Sequence, residues 1–91
     1  MTDISQMVRV TWRDAHDGPA GWHTAGDLEA GWYTVQTVGW LIGAAKPGHI
    51  TVCGSHTCAG FIAETVHIPL VNVTRIEALI ACTVLPVEPE S

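Results

Sequence analysis

One short segment holds the residue types best suited to binding a metal ion: Cys53, His56 and Cys58. Thiolates and imidazole nitrogens are the ligands that zinc prefers, and the spacing of these residues falls within the range used in structural zinc sites. His49 or His67 could add a fourth ligand. A structural site normally recruits a second, separated ligand pair, however, so only one half of such a site is present.

The two cysteines of this segment have two other readings. They could form a reversible disulfide, or they could flank a hairpin loop as small buried residues. The hairpin interpretation needs no further partner. We therefore predict no metal and no cofactor, and we keep Cys53, His56 and Cys58 only as weak metal candidates.

No motif of the sequence indicates catalysis. Serines, three cysteines and five histidines are present, but none stands in a G-x-S-x-G pattern or another recognisable catalytic context. The glycines between residues 18 and 31 do not follow the spacing of a phosphate-binding loop. A chain of 91 residues also leaves little volume for a closed pocket. We predict a protein that binds another molecule and is not an enzyme.

Two aromatic pairs in or beside this glycine-rich segment are the best candidates for a binding surface. They are Trp22 with His23, and Trp32 with Tyr33. Exposed aromatic side chains next to histidine in a loop are typical of recognition surfaces. Trp22 could equally fold back as a lid over the end of the domain. We predict that the two pairs form the interface.

The charge balance excludes one class of partner. The formal net charge is −5, and the only cations, Arg9, Arg13, Lys46 and Arg75, are scattered along the chain. Binding to a phosphate backbone needs clustered cations that displace counterions. We therefore predict no binding to nucleic acid, and none to acidic membrane surfaces.

The small number of charges favours self-association. Charged residues make up 14% of the chain and apolar residues 47%, so little polar material is present to cover the surface. Apolar surface must then stay exposed or be buried against another chain. A homo-oligomer is the expected state.

The sequence favours the cytoplasm as the compartment. Residues 1–6 are polar and do not resemble a signal peptide, and no apolar run approaches the length that spans a bilayer. An odd number of cysteines, three, is not typical of a secreted disulfide framework.

The first two predicted strands carry most of the aromatic residues. Alternation over residues 8–13 indicates a half-buried strand with Val8, Val10 and Trp12 inward. A second strand covers residues 32–42, where the apolar phase changes before Trp40. That change predicts a β-bulge near residues 36–37, with Trp12 and Trp40 both in the core.

The remaining elements follow at short intervals. Lys46, Pro47, Gly48 and His49 predict a type II turn. Strands are expected at residues 50–53, 61–68 and 74–79, with a loop at 54–60 and a short link at 70–73. Within the long first connection, residues 27–30 predict one helical turn.

This order of elements predicts a mainly β fold, a small five-stranded SH3-like or Sm-like barrel. In such barrels a single turn carries the chain from the fourth strand to the fifth, and closure removes exposed strand edges. Residues 1–85 would form the single domain, and residues 86–91 a disordered tail. The alternative is an open antiparallel sheet that gains its second layer by dimerising.

An ordered set of segments resembles a group of small uncharacterised proteins of bacteriophages and prophages. It comprises Val-x-Val-x-Trp-x-Asp-Ala at residues 8–15, Gly-Trp-His at 21–23, Thr-Val-Gly-Trp-Leu-Ile at 37–42, His-Ile-Pro at 67–69 and Ile-Glu-x-Leu at 76–79. The resemblance implies a phage origin and the same barrel type. It transfers no activity and no residue role, and the segment at residues 53–58 is not part of it.

Three functions follow as hypotheses. The first is a phage accessory protein that binds and modulates or inhibits a host protein, such as a component of antiviral defence. Its acidic charge would suit a basic surface on that target. The second is an oligomer that sequesters a small ligand, such as a signalling nucleotide, by stacking on aromatic residues. The third is a virion or assembly component.

Overall fold

The computed structural model describes residues 4–15, 32–43 and 45–88. Its strands are β1 (Met7–Ala15), β2 (Trp32–Ile42), β3 (His49–His56), β4 (Ile62–Pro69) and β5 (Val73–Leu79), with a 3₁₀ turn at Leu70–Asn72. The prediction of a mainly β fold is confirmed. The helical turn predicted at residues 27–30 lies outside the described residues.

The five strands form one antiparallel sheet in the order β4-β3-β2-β1-β5. β4 and β5 are consecutive in sequence yet occupy opposite edges, and no ladder joins them in the described part of the chain. The sheet is therefore open, and the predicted closed barrel is not confirmed. Among the described residues, each edge strand has a partner on one side only.

A small apolar core covers one face of the sheet. Its buried members are Val8, Val10, Ile50, Val52 and Ile68. Three partly buried side chains pack against this cluster: Trp12, Leu41 and Val73. The prediction for β1 is confirmed, because Val8 and Val10 are buried and Trp12 packs beside them.

The bulge predicted within β2 is wrong. β1 and β2 pair without interruption from Met7 opposite Trp40 to Ala15 opposite Trp32. The register shift occurs instead between β1 and β5, at Thr11 and Trp12. The single extra residue on β5 is Thr74, whose hydroxyl donates to the Thr11 carbonyl at 3.1 Å.

The apolar phase of β2 changes because its last residues, 39–42, are buried or partly buried on both faces, although Val38 before them is 52% exposed. Leu41 packs on the core, whereas its neighbour Ile42 is 8% exposed on the opposite face. On β3, Thr51 and Cys53 are buried on that same opposite face, each 1% exposed. A strand that is buried on both faces does not alternate between apolar and polar residues, so its sequence pattern resembles that of a strand with a bulge.

The turn predicted at residues 46–49 is confirmed. The amide of His49 donates to the carbonyl of Lys46 at 3.2 Å, and Gly48 has a φ of 71°. A positive φ at the third position is what a type II turn requires. The carbonyl of Gly48 also accepts from the amide of Leu70 at 2.9 Å, which anchors the 3₁₀ turn.

Candidate functional site

The strand directions bring several chain segments to one end of the sheet. β1 ends there at Ala15, β2 begins at Trp32, β3 ends at His56 and β4 begins at Ile62. Neighbouring strands are antiparallel, so these four termini lie at the same end. We call it the site end. The connection between β1 and β2, which contains two of the predicted interface residues, also starts and finishes there.

Of the four predicted interface residues, the structure describes the side chain of one. Trp22 and His23 lie outside the described residues. Trp32 begins β2 opposite Ala15, and its side chain is likewise outside the description. Tyr33 is described, with 61% of its surface exposed, at the site end opposite Asp14.

The tip of the β3–β4 hairpin, residues 55–63, is the best-defined feature of the site end. Its loop is closed by hydrogen bonds between Thr57 and Phe61: the Thr57 amide donates to the Phe61 carbonyl at 2.9 Å, and the Phe61 amide to Thr57 Oγ1 at 3.2 Å. Gly60, with a φ of 90°, allows the chain to reverse within so few residues. These bonds hold Phe61 at the tip with 74% of its surface exposed.

A shallow cavity of about 130 Å³ lies under this loop. It is lined by Ser55, His56, Thr57, Phe61, Ile62 and Ala63. Pockets for drug-sized ligands are on the order of 300–1,000 Å³. The volume suits one side chain of a partner better than a nucleotide.

His56 joins this cavity to Trp40 on β2. The two rings meet edge to face, with centroids 4.8 Å apart and an interplanar angle of 79°. The prediction that Trp40 lies in the core is wrong about the face of the sheet. Trp40 pairs with Met7, and the next residue along β1, Val8, belongs to the core. Trp40 therefore points to the face opposite the core. It is partly buried there.

The weak metal candidates are not assembled into a site. Cys53 is 1% exposed within β3, Cys58 is exposed in the hairpin loop, and both thiols are free. Within the described ranges, no group of three or more His, Cys, Asp or Glu side chains is placed to hold a metal ion. The disulfide considered between the two cysteines is not formed.

The two further histidines considered as ligands have other partners. Nδ1 of His49 lies 2.8 Å from the carbonyl of Pro47. A carbonyl only accepts, so this nitrogen carries the proton. Nδ1 of His67 shares a hydrogen bond of 2.7 Å with the hydroxyl of the buried Thr51, which satisfies that hydroxyl.

Two of the four cations are engaged by one carboxylate. Arg9 on β1 makes two hydrogen bonds of 2.9 Å to Glu77 on β5, and Arg75 lies 3.5 Å from the same carboxylate. The hydrogen bonds from Arg9 are the main reason that the pKa of Glu77 is lowered. Within the described ranges the remaining cations, Arg13 and Lys46, are exposed and not adjacent in sequence.

Sequence reasoning missed the hairpin tip. Residues 54–60 were assigned to a loop and Phe61 to a strand, but β3 continues to His56 and β4 begins only at Ile62. The usable signal was Gly60 directly before an aromatic residue, because a glycine with positive φ marks the place where a hairpin reverses.

Comparison with known proteins adds no relative. No protein-family model matches the chain, and neither a curated protein nor a solved structure matches it. In the described part, no helix is long and apolar enough to cross a membrane.

Proposed function

We propose that the protein is a non-catalytic phage accessory protein that binds a host protein through the site end of its sheet and modulates or inhibits it. The carrying observation is that two aromatic side chains, Tyr33 and Phe61, are held in ordered backbone at one end with 61% and 74% of their surfaces exposed. Exposed aromatic residues of this kind dominate protein–protein interfaces.

The predicted pairs Trp22–His23 and Trp32–Tyr33 belong to the same proposal. The β1–β2 connection leaves and re-enters the sheet at the site end, the end at which the β3–β4 hairpin also reverses. The net charge of −5 suits a basic surface on the partner. A host component of antiviral defence in the cytoplasm is the partner class that this proposal names.

The proposal includes an SH3-like or Sm-like fold for the chain. The strand order β4-β3-β2-β1-β5 and the 3₁₀ turn between the last two strands support an SH3-like or Sm-like arrangement. In such an arrangement the sheet curves so that its two edges approach each other. A homo-oligomer is proposed alongside, since both edges carry half-exposed apolar side chains, Val66 on β4 and Ile76 on β5.

The test is capture from a bacterial lysate with the full chain as bait and two matched variants. Phe61→Ser removes the aromatic side chain at the hairpin tip, where 74% exposure makes a folding defect unexpected. Val71→Ser is the control, because Val71 is 92% exposed but lies in the 3₁₀ turn. We expect one specific protein that is retained by the wild type and by Val71→Ser, and at least tenfold less by Phe61→Ser, as for an interface hot spot.

Two results would contradict the proposal. One is a bait that enriches no protein at near-stoichiometric level. The other is equal loss of capture in both variants, which would indicate general adhesion of exposed apolar residues rather than a site at the hairpin tip.

A second candidate is the capture of a small ligand, such as a signalling nucleotide, between subunits. It is favoured by the edge-to-face contact of Trp40 and His56 beside the cavity. The cavity of about 130 Å³ in one chain would have to be completed by a second copy. A nucleotide that raises the melting temperature at high excess would support this candidate over a protein partner.

A further inference from the structure

The segment after β5 is an extended, apolar chain without a partner in the sheet. Residues 80–88 form no helix or strand, and no backbone hydrogen bond joins them to the described part of the sheet. The apolar side chains of this segment are among the most exposed of the molecule, with Ile80 at 86%, Val84 at 95%, Leu85 at 75% and Val87 at 90%. Such a segment has the composition of a strand and lacks only an edge to pair with.

The two edges of the sheet, which have no further partner among the described residues, differ in how well they could accept the segment. On β5, the extra residue Thr74 interrupts the register, and Arg75 and Glu77 place charges along the strand. Bulges and charges are the devices that keep an edge strand from pairing. β5 is therefore a protected edge.

The second half of β4 has neither device. Residues 65–69, Thr-Val-His-Ile-Pro, carry no carboxylate, lysine or arginine. They come directly after Glu64, whose φ of 59° lies outside the extended range of a strand and interrupts the pairing with β3. Val66 is 39% exposed there, beside the fully buried Ile68. Residues 79–87 are also free of charged side chains, and Glu88 at the end of the segment is its one charged residue. An uncharged strand and an uncharged edge can pair without burying an unpaired charge.

Within its own chain the segment does not occupy this edge. Its large apolar side chains are 75–95% exposed, and no backbone hydrogen bond joins it to the described strands. Among the described residues, the segment and the edge at residues 65–69 are therefore both available to another copy of the chain.

We propose that residues 80–88 of one copy add as an extra strand to the free edge of β4, at residues 65–69, in a second copy of this chain. The added strand covers Val66 and supplies main-chain partners to the edge, the mode by which extended segments join exposed sheets. If the exchange is reciprocal, two copies close into a dimer. Pro86 is acceptable in this strand because an edge strand can leave one side unpaired.

Light scattering on the full chain, with two pairs of matched variants, tests the proposal. For a chain of 9.7 kDa, we expect the wild type to have twice that mass, or a higher multiple if exchange is not reciprocal. Val84→Pro removes an amide from the added segment at a side chain that is 95% exposed. Val66→Lys places a charge on the β4 edge. Both variants should be monomers.

The controls separate this edge from the other one. Val84→Ile keeps the amide, and Ile76→Lys places the same charge on β5 at a position 49% exposed; both should keep the mass of the wild type. Circular dichroism checks that every variant is folded. An oligomer that survives Val84→Pro and Val66→Lys, or one that Ile76→Lys alone abolishes, overturns the proposal.

The inference rests on the self-association proposed above and not on the binding of a host protein. A wild type that stays at 9.7 kDa at every concentration overturns both the oligomer and the added strand, and leaves lysate capture by the hairpin tip to be judged separately. A monomeric variant that still captures its partner would place the two surfaces at different parts of the sheet.

Discussion

Gly39 shows how a single residue positions the candidate site. A Cβ atom built there would lie 2.6 Å from the carbonyl oxygen of Cys53, a backbone atom that cannot rotate away. The close approach lets β2 pass against β3 just before Trp40, which in turn contacts His56. The absence of a side chain at Gly39 therefore supports both the packing of the central strands and the geometry of the hairpin.

Gly39→Ala should destabilise the fold by about 1–3 kcal/mol, the usual cost of forcing an extra group into a packed place. Urea unfolding followed by tryptophan fluorescence measures this. Gly43→Ala is the control, because no atom lies within 4 Å of a Cβ built at Gly43, and its stability should equal or slightly exceed that of the wild type. Equal effects of the two substitutions would contradict the close approach.

At the scale of elements, β5 depends on β1 for its place in the sheet. β1 is its only partner strand among those described. The bidentate pair of Arg9 and Glu77 joins the two strands in register. An ionised Glu77 is stabilised by its partners in the folded state, which lowers the pKa of this carboxyl below its ordinary value of 4.5. A lowered pKa links the attachment of β5 to pH.

Glu77→Gln should lower stability slightly at neutral pH, where the pair is fully formed. The contribution of a carboxylate with a lowered pKa is present above the unfolded-state value and is lost as pH falls through the folded-state value. The difference between wild type and variant should therefore shrink as pH decreases below about 4.5. Unfolding midpoints measured across this range test it.

The control for this prediction is Glu88→Gln. Glu88 is exposed in the segment after β5, and no ion pair of it is found in the described part of the chain. Its replacement should leave the acid dependence of stability unchanged. A difference between wild type and Glu77→Gln that stays constant from neutral to acid pH would show that Glu77 acts through packing alone.

The elements also show which features can be read from sequence. The turn at residues 46–49 was predicted correctly because its geometry depends only on Pro47 and Gly48. The interior of β2 was misread because burial of Ile42 and Cys53 on the second face depends on non-local packing. The face of Trp40 and the exposure of Phe61 follow from strand register, which no local pattern determines.

At the scale of the whole molecule, the chain is more extended than a compact domain. Its radius of gyration is 17.9 Å, against roughly 12 Å for a compact domain of this length. Among the described residues, the apolar segment after β5 stands clear of the sheet. The sheet is open among the described residues, and its completion by a second copy, the alternative to a barrel, stays a prediction.

Amide hydrogen exchange offers a test of this view on the unmodified protein. If residues 80–88 add to the β4 edge of a second copy, their amides should exchange slowly at concentrations where the oligomer dominates, and at the rate of an unstructured peptide on dilution. The amides of Val8 and Val10, in the centre of the sheet, should stay protected at both concentrations and serve as the internal control. Slow exchange that is independent of concentration would place the segment on its own chain. Fast exchange under all conditions would leave it without a partner, and either result would contradict the added strand.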